Sequence, residues 1–557
     1  MFSQPSSGQE RTREEVGSRE WVGPFETSAS RIYGLIAVLV VIVGLIWRLW
    51  LAHATFLNTD EAWHFSAANQ NSLLAAYRAS LTLAHPPLLI IVLYFWKYLG
   101  TSDLMLRLPE VLAGTVFCWV FFQWLIRLFG DATALVGLIF ASLLPPMIAL
   151  SAEIRQYSLM LMFAVAAAYF LERAFAKESS GFMVLSFLSL YFAMLSHYSA
   201  FLLAAALGIY GIARMVQERP SPATTWVWAT GQLAGVALAY LLYATHISRL
   251  SAVYPATQPL QRFGDFYLSD WYFHPVRDGL LHFLYRGTFG VFRFIFGQTG
   301  VGQIAAVLFL AGIVVMVWTK SAGPARVSPR LTAILFGTPF VLNWIAVIAG
   351  LYPYGRTRQC MFLAMFALGG VSVAIAAVLK NRVCLAASTA ILVIAICHLF
   401  GTLQGRDMLP LAEQRHEHMD EALQFIRSGV SARDVIFTDQ ASSFQLRHYL
   451  CHQKPVDVEL LPQGLAKFQC EGITVIFTGA NDGALTADVV VERWIDRSEP
   501  DALTMAGRVW VVQAGWASGL GEALRRQFPW LAHVDAHSFG KYIEIFPLPP
   551  RPWQRRI

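Results

Sequence analysis

From residue 32 to residue 401 the sequence repeats one pattern, an apolar run closed by a charged or turn-forming cluster. A run of about 20 apolar residues is long enough to cross a bilayer as a helix, and lipid accepts only structures that satisfy their own backbone hydrogen bonds. The runs fall at 32–52, 109–129, 133–151, 156–175, 181–197, 198–216, 224–245, 301–319, 331–350, 359–379 and 383–401. They predict a polytopic α-helical membrane protein of about 11 spans. Composition agrees: 56% of residues are hydrophobic, 14% are charged, and mean hydropathy is +0.49. A soluble domain is rarely so apolar. The 17 Trp suit side chains anchored at the water interfaces. Net charge is only +6 and no basic, aromatic-interleaved patch occurs in a polar segment, so the expected partner is the lipid bilayer and not nucleic acid. The first run is followed by Asn58-Thr59-Asp60 without a small-residue cleavage pattern, and reads as a span, not a removed signal.

A further run, 85–100, opens with His85-Pro86-Pro87 and is shorter than the rest. Its status sets the sidedness of everything after it. With a cytoplasmic N-terminus and no crossing by 85–100, Arg173, Lys177, Arg214, Arg219, Lys320, Arg326, Arg330, Lys380 and Arg382 all fall inside. If it crosses, they fall outside, against the usual bias of Lys and Arg. The run is therefore read as a re-entrant or interface-lying helix. Three regions follow: a disordered cytoplasmic stretch 1–30, a membrane domain 31–401, and an extracytoplasmic tail 402–557. In the tail, "HMDEALQFIRSG" and "EALRRQF" read as helices and "DVIFTD", "ITVIF", "RVWVVQ" and "KYIEIF" as strands, which makes a small α/β domain. No glycine-rich phosphate loop follows its strands. Cys451 and Cys470 form a candidate disulfide if the tail meets an oxidising compartment, and two free buried thiols are the alternative.

Candidate chemistry gathers where the spans end on one face. In "FLNTDEAWHF" the adjacent Asp60 and Glu61 follow the first span. As a structural feature, Asn58 or Thr59 caps a helix whose first turn favours both carboxylates. As a functional one, a carboxylate in a partly dry site takes a proton from an acceptor, or the two together hold a divalent cation against a phosphate. His85 begins a proline-fixed helix and is either a turn residue or a member of the same site. In "ALSAEIRQYSLML", Glu153, Arg155 and Tyr157 mark the start of a span: Arg155 and Tyr157 are interface anchors, or Arg155 is a phosphate clamp. In "YPYGRTRQCMF", Arg356 and Arg358 sit on the side where positive charge is disfavoured, which an anionic partner such as a lipid phosphate would explain. The segment 246–300 is rich in Tyr, Phe, Trp and Arg, and its second half has the pattern of an interface-lying amphipathic helix, as a packing element or a gate. His197, between two tightly joined spans, reads as a turn histidine.

The stretches "TDEAWHF", "HPPLLIIVLYFWKYLG", "DLMLRLPEVLAGTV" and "ALSAEIRQYSLMLMFAVAAAYFLERA", in that order, resemble the GT-C fold membrane glycosyltransferases, in particular the protein O-mannosyltransferase and aminoarabinose-transferase superfamily. The resemblance runs over about residues 30–220 and is loose from there to 401. It implies a sugar donor linked to a polyprenyl phosphate and transfer, with inversion, to an extracytoplasmic acceptor: a protein hydroxyl, a lipid or an envelope glycan. It gives Asp60, with Glu61 beside it, the acceptor side, as base or through a metal. It gives Arg155 and Arg356 or Arg358 the donor phosphate, with His85, Glu153 and Tyr157 in support. It implies no certain cofactor beyond a possible divalent metal at Asp60 and Glu61. It also implies a bacterial inner-membrane protein, because the long luminal insertion of the eukaryotic enzymes is missing. The sequence departs from the family at Trp63-His64 after the acidic pair, at Gln156-Tyr157 after Arg155, and at Arg358-Gln359 in the late loop. A transporter or flippase for lipid-linked sugars is the alternative, but its charges belong at mid-membrane with a repeat between halves, and neither pattern is present.

Overall fold

A computed structural model of the chain describes residues 28–249, 268–319, 327–378, 414–431, 434–452, 456–461, 465–478, 508–514, 525–526 and 536–548. The expectations for residues 1–27, for the run 383–401 and for Lys320, Arg326, Lys380 and Arg382 lie outside the described residues, as does most of "EALRRQF".

The membrane part opens with α1 (Ser28–Ala54), followed by three short helices, α2 (Thr59–Ala68), α3 (Leu73–Ser80) and α4 (Leu88–Trp96). Then come α5 (Asp103–Phe129), α6 (Asp131–Leu143), α7 (Pro145–Ser151), α8 (Tyr157–Lys177), α9 (Ser180–Ser196), α10 (Ala200–Glu218) and α11 (Pro222–Leu242). After the break in description follow α12 (Leu280–Phe296), α13 (Thr299–Trp318), α14 (Pro329–Ile348) and α15 (Ala364–Val378). Among the described residues, eight helices are long and apolar enough to cross a bilayer, and α6 with α7, bent by 58°, makes a ninth if the pair is one span. The expected eleven are thus not all established: α9 has 17 residues, and the last run is undescribed. The chain is a multi-pass membrane protein. Helix α4 is only about 14 Å long, against an apolar thickness of about 30 Å, so 85–100 does not cross.

The bend between α6 and α7 is made at Pro145 and held from α1. Pro145 denies the ladder a donor, so carbonyls at the end of α6 lose their partners. Arg48, 1% exposed, takes them over: Nη2 donates to Ala141 O at 3.0 Å, Nη1 to Ser142 O at 2.9 Å, and Nε to Ser151 Oγ at 2.7 Å. The negative end of the helix dipole stands in for a counter-ion. Gly114 makes room, since a Cβ there would lie 2.5 Å from that of Ser151.

The tail begins its described part with α16 (His416–Gly429), then β1 (Val435–Thr438), α17 (Gln440–Tyr449), β2 (Glu459–Leu461), β3 (Leu465–Cys470), β4 (Ile473–Thr478), β5 (Val509–Gln513), β6 (His537–Phe539) and β7 (Ile543–Leu548). The strands form one sheet in the order β2-β3-β4-β1-β5-β7-β6, parallel where β1 meets β4 and β5 and antiparallel elsewhere. Cys451 and Cys470 are joined by a disulfide, with Cα atoms 5.0 Å apart. Helix α17 lies against α2: Trp63 stacks on Phe444 at 5.5 Å, Gln445 Nε2 donates to Leu57 O at 2.8 Å, and Leu57 N donates to the Tyr449 hydroxyl at 2.6 Å. Phe56, from the first loop, is buried in the core of the tail domain.

Replacing Arg48 by Leu leaves the Ala141 and Ser142 carbonyls without donors in an apolar setting. We expect a loss on the order of 2–4 kcal/mol, read as a lowered unfolding temperature of the detergent-solubilised protein, with Arg48→Lys falling between.

Candidate active site

The site is organised by one face of α5. Asp103, Arg107 and Glu110 are spaced i, i+4 and i+7, so they project from the same side of the helix. Each holds a different part of the chain. Arg107 is 1% exposed and spends every arm of its guanidinium. Nη1 donates to Ala52 O (2.8 Å) and Thr55 O (2.6 Å), and Nη2 donates to Phe56 O (2.9 Å). Nε and Nη2 also grip the two oxygens of Glu61, both at 2.7 Å. Glu110 Oε2 accepts from Leu159 N at 3.3 Å, where α8 starts. Asp103 accepts from His448 Nε2 at 2.9 Å and the Tyr449 hydroxyl at 2.5 Å, both on α17.

Glu61 is fully buried. Besides Arg107, Oε2 accepts from Asn58 N at 2.8 Å and Oε1 from Ile154 N at 2.9 Å. Asn58 returns a bond from its side chain to Glu61 N at 3.0 Å, closing a capping box at the start of α2. Glu61 is therefore a strut, and its grouping with Asp60 as a second catalytic carboxylate is corrected here: all its acceptor sites are used. The same saturation removes the joint cation site, because Glu61 has no oxygen to share. Among the described residues no group of three or more His, Cys, Asp or Glu is placed to hold a metal.

Asp60 turns the other way, its side chain 26% exposed, and pairs with Arg155 Nη2. The bond from Ile154 N to Glu61 fixes the turn that carries Arg155 to that position. Arg155 and Tyr157 are 8% and 2% exposed, which excludes interface anchoring for both. One residue before Ile154, Glu153 Oε2 meets Arg358 Nη1 at 2.9 Å. Burial raises the Glu153 carboxyl above its usual range, and the Arg358 charge works against that rise. Arg356 is half-buried in the same late loop. That loop is seated by the segment before it: Tyr354 N donates to Trp271 O at 2.8 Å, and Gly355, at φ +152°, lies flat against the Trp271 ring where a side chain would not fit. Helix α12 backs this loop with a buried apolar face, so the second half of 246–300 is a packing element for the arginines. The sequence thus placed Asp60, Arg155, Glu153 and Arg358 in three separate segments, and the fold joins them into two adjacent ion pairs.

Histidines complete the surroundings. His85 lies between His64 and His197, ring centroids 5.7 and 5.8 Å away, and His197 rests on Tyr157 at 5.1 Å. Burial pushes the His64 imidazole down to about 4, against the pull of the Glu61 charge, and that of His197 down to about 3. Sequence reasoning gave His197 only a turn and missed Asp103, Arg107, Glu110, His64 and the α17 pair. The i, i+4, i+7 spacing of three charges inside an apolar span was the available signal, since such charges need partners.

The architecture has counterparts. ArnT from Cupriavidus metallidurans in the apo state superposes with a TM-score of 0.52 at 14% identity, over 94% of this chain and 100% of that one. The fold is that of the GT-C membrane glycosyltransferases. The same ArnT bound to undecaprenyl phosphate gives 0.51 at 15% identity over the same shares. The archaeal oligosaccharyltransferase AglB from Archaeoglobus fulgidus, in complex with an inhibitory peptide and a dolichol-phosphate, gives 0.46 at 10% identity over 86% of this chain and 70% of that one. Residues 84–244 match the model of the dolichyl-phosphate-mannose-protein mannosyltransferase family, a stretch that runs from His85 through Arg155 to α11 of the GT-C domain. No curated protein matches the chain by sequence.

The two neighbouring carboxylates should separate by experiment. Glu61→Ala strands the Arg107 charge in a buried site and is expected to cost about 3–5 kcal/mol of stability. Asp60→Asn, at a partly exposed position, should cost under about 1 kcal/mol. Thermal unfolding of both variants checks this.

Proposed function

We propose that this protein is an integral membrane glycosyltransferase that moves a sugar from a polyprenyl-phosphate donor to an extracytoplasmic acceptor, with inversion at the anomeric carbon. The observation that carries the reading is the pair of exchangeable ion pairs, Asp60 with Arg155 and Glu153 with Arg358, at one end of a lipid-embedded helical domain of GT-C fold.

A polyprenyl tail requires an enzyme within the bilayer. Its phosphate is already a competent leaving group, so the reaction needs cations to take up developing charge, not an acid to protonate the leaving oxygen. Arg155 supplies one cation and Arg358 the other, with Arg356 at hand in the same loop. When a donor phosphate reaches Arg155, the guanidinium divides its attraction between phosphate and Asp60. Asp60 is thereby released to take the proton of an acceptor hydroxyl as that oxygen attacks the anomeric carbon. Glu61 and Arg107 act through position, keeping α2 and the Arg155 turn in register.

The reading places the site outside the cell, in a bacterial inner membrane. The first loop and the start of α5 meet the tail domain, and the loop between α7 and α8 and the loop before α15 share that end of the bundle through the Asp60–Arg155 and Glu153–Arg358 pairs. Arg173, Lys177, Arg214 and Arg219 stand at the other ends of α8 and α10. That distribution suits a cytoplasmic far side, and the Cys451–Cys470 disulfide suits an oxidising near side.

The test is mass spectrometry of lipids retained by purified wild type and Asp60→Asn. A polyprenyl-phosphate sugar that accumulates on the variant, with transfer abolished, is the expected result. Retention of an unrelated solute by both would favour transport. Arg155→Ala and Arg358→Ala should each raise the donor requirement by about tenfold or more, the loss of one charge-assisted hydrogen bond.

A further inference from the structure

His64 lies one turn of α2 beyond Asp60 and is 3% exposed. Its Nδ1 is 2.5 Å from the Asp60 carbonyl oxygen. A carbonyl only accepts, so Nδ1 carries the ring proton and Nε2 presents a lone pair. That Nε2 is buried and has no partner, as is Nδ1 of His85, the next ring in the row. A buried, unpaired polar nitrogen costs about 1–3 kcal/mol, and two side by side at one place point to a ligand that supplies the missing donors.

The row is part of a closed circuit. Asp60 faces Arg155; Tyr157 follows Arg155 by two residues; Tyr157 touches His197; His197 lies beside His85; His85 lies beside His64; and His64 returns to Asp60. The circuit opens to the surface at half-buried Asp60 and His85. Its two halves differ in charge. The Arg155 half is cationic and suits a phosphate. The His64 half is neutral and offers a lone pair, which repels a phosphate oxygen and accepts a proton from a hydroxyl.

We propose that His64 Nε2, with His85 beside it, binds a hydroxyl of the transferred sugar and so holds the anomeric carbon over Asp60. This rests on the donor reading above. Both residues are specificity-determining: they read the sugar and leave the lipid phosphate to the arginines.

The experiment compares wild type, His64→Asn and His64→Gln, purified with native lipids, by quantifying sugar-bearing and sugar-free polyprenyl phosphate on each. The Asn amide keeps a donor near the Asp60 carbonyl but offers no acceptor at the Nε2 position; the Gln amide oxygen reaches that position. The expected result is a sugar-bearing to sugar-free ratio lowered about tenfold in His64→Asn, the scale of one lost hydrogen bond. Sugar-free lipid should be unchanged and the ratio restored in His64→Gln. Equal ratios in all three, or parallel loss of both lipids in His64→Asn, would overturn the assignment. Wild type that retains polyprenyl phosphate only without sugar, or none at all, would instead sink the donor reading and this inference with it.

Discussion

The bidentate contact between Arg107 and Glu61 is the constraint on which the rest of the site depends. It is buried on both sides, and each partner has further hydrogen bonds that fill its remaining positions. That is the condition under which a buried pair repays its desolvation. Through Arg107 the end of α1 and the first loop are tied to α5. Through Glu61 the cap of α2 and the turn before α8 are tied to the same point. Asp60 and Arg155 face each other because their neighbours, Glu61 and Ile154, are bonded to one another. A strut placed one residue from Asp60 and one from Arg155 explains how an arrangement built on loops keeps its geometry.

Charges elsewhere in the membrane domain show two other solutions. Arg48 has no carboxylate in its hydrogen-bond set and is neutralised by carbonyls at a helix end, which suits a place where the chain must bend. At the far ends of α8 and α10, Arg214 bridges Glu172 at 2.7 Å and Glu218 at 2.8 Å, with the Tyr210 hydroxyl donating to Glu172. That cluster joins two helices and lies away from the site. The candidate site is distinguished by pairs that are partly exposed, Asp60 with Arg155 and Glu153 with Arg358.

The tail domain has a structural part in the site. Its helix α17 supplies His448 and Tyr449 to Asp103, stacks Phe444 on Trp63, and binds both backbone groups of Leu57. The first loop is thus held from below by α5 and from above by α17. Helix α2 has ten residues, too few to be stable alone, and takes its order from these two surfaces.

Apolar run length and the positions of Pro and capping residues are local properties, and they determined the membrane class, the short helix after His85-Pro86-Pro87, a cap at Asn58 or Thr59 and four of the seven strands described in the tail, while β2, β3 and β6 were not legible. The family resemblance, carried by four motifs, named the GT-C fold that superposition bears out. Pairing is not local. Asp60 and Glu61 are chemically alike and adjacent in sequence, and only the fold shows that one faces Arg155 at a partly open position while the other is consumed by Arg107, 46 residues away. Likewise the link of Glu153 to Arg358 spans 205 residues, and the row of His64, His85 and His197 draws on three separate segments. A helical period can say which residues share a face, but which charge meets which across the bundle is decided by packing, because a buried charge takes whatever partner the close-packed neighbours leave within reach.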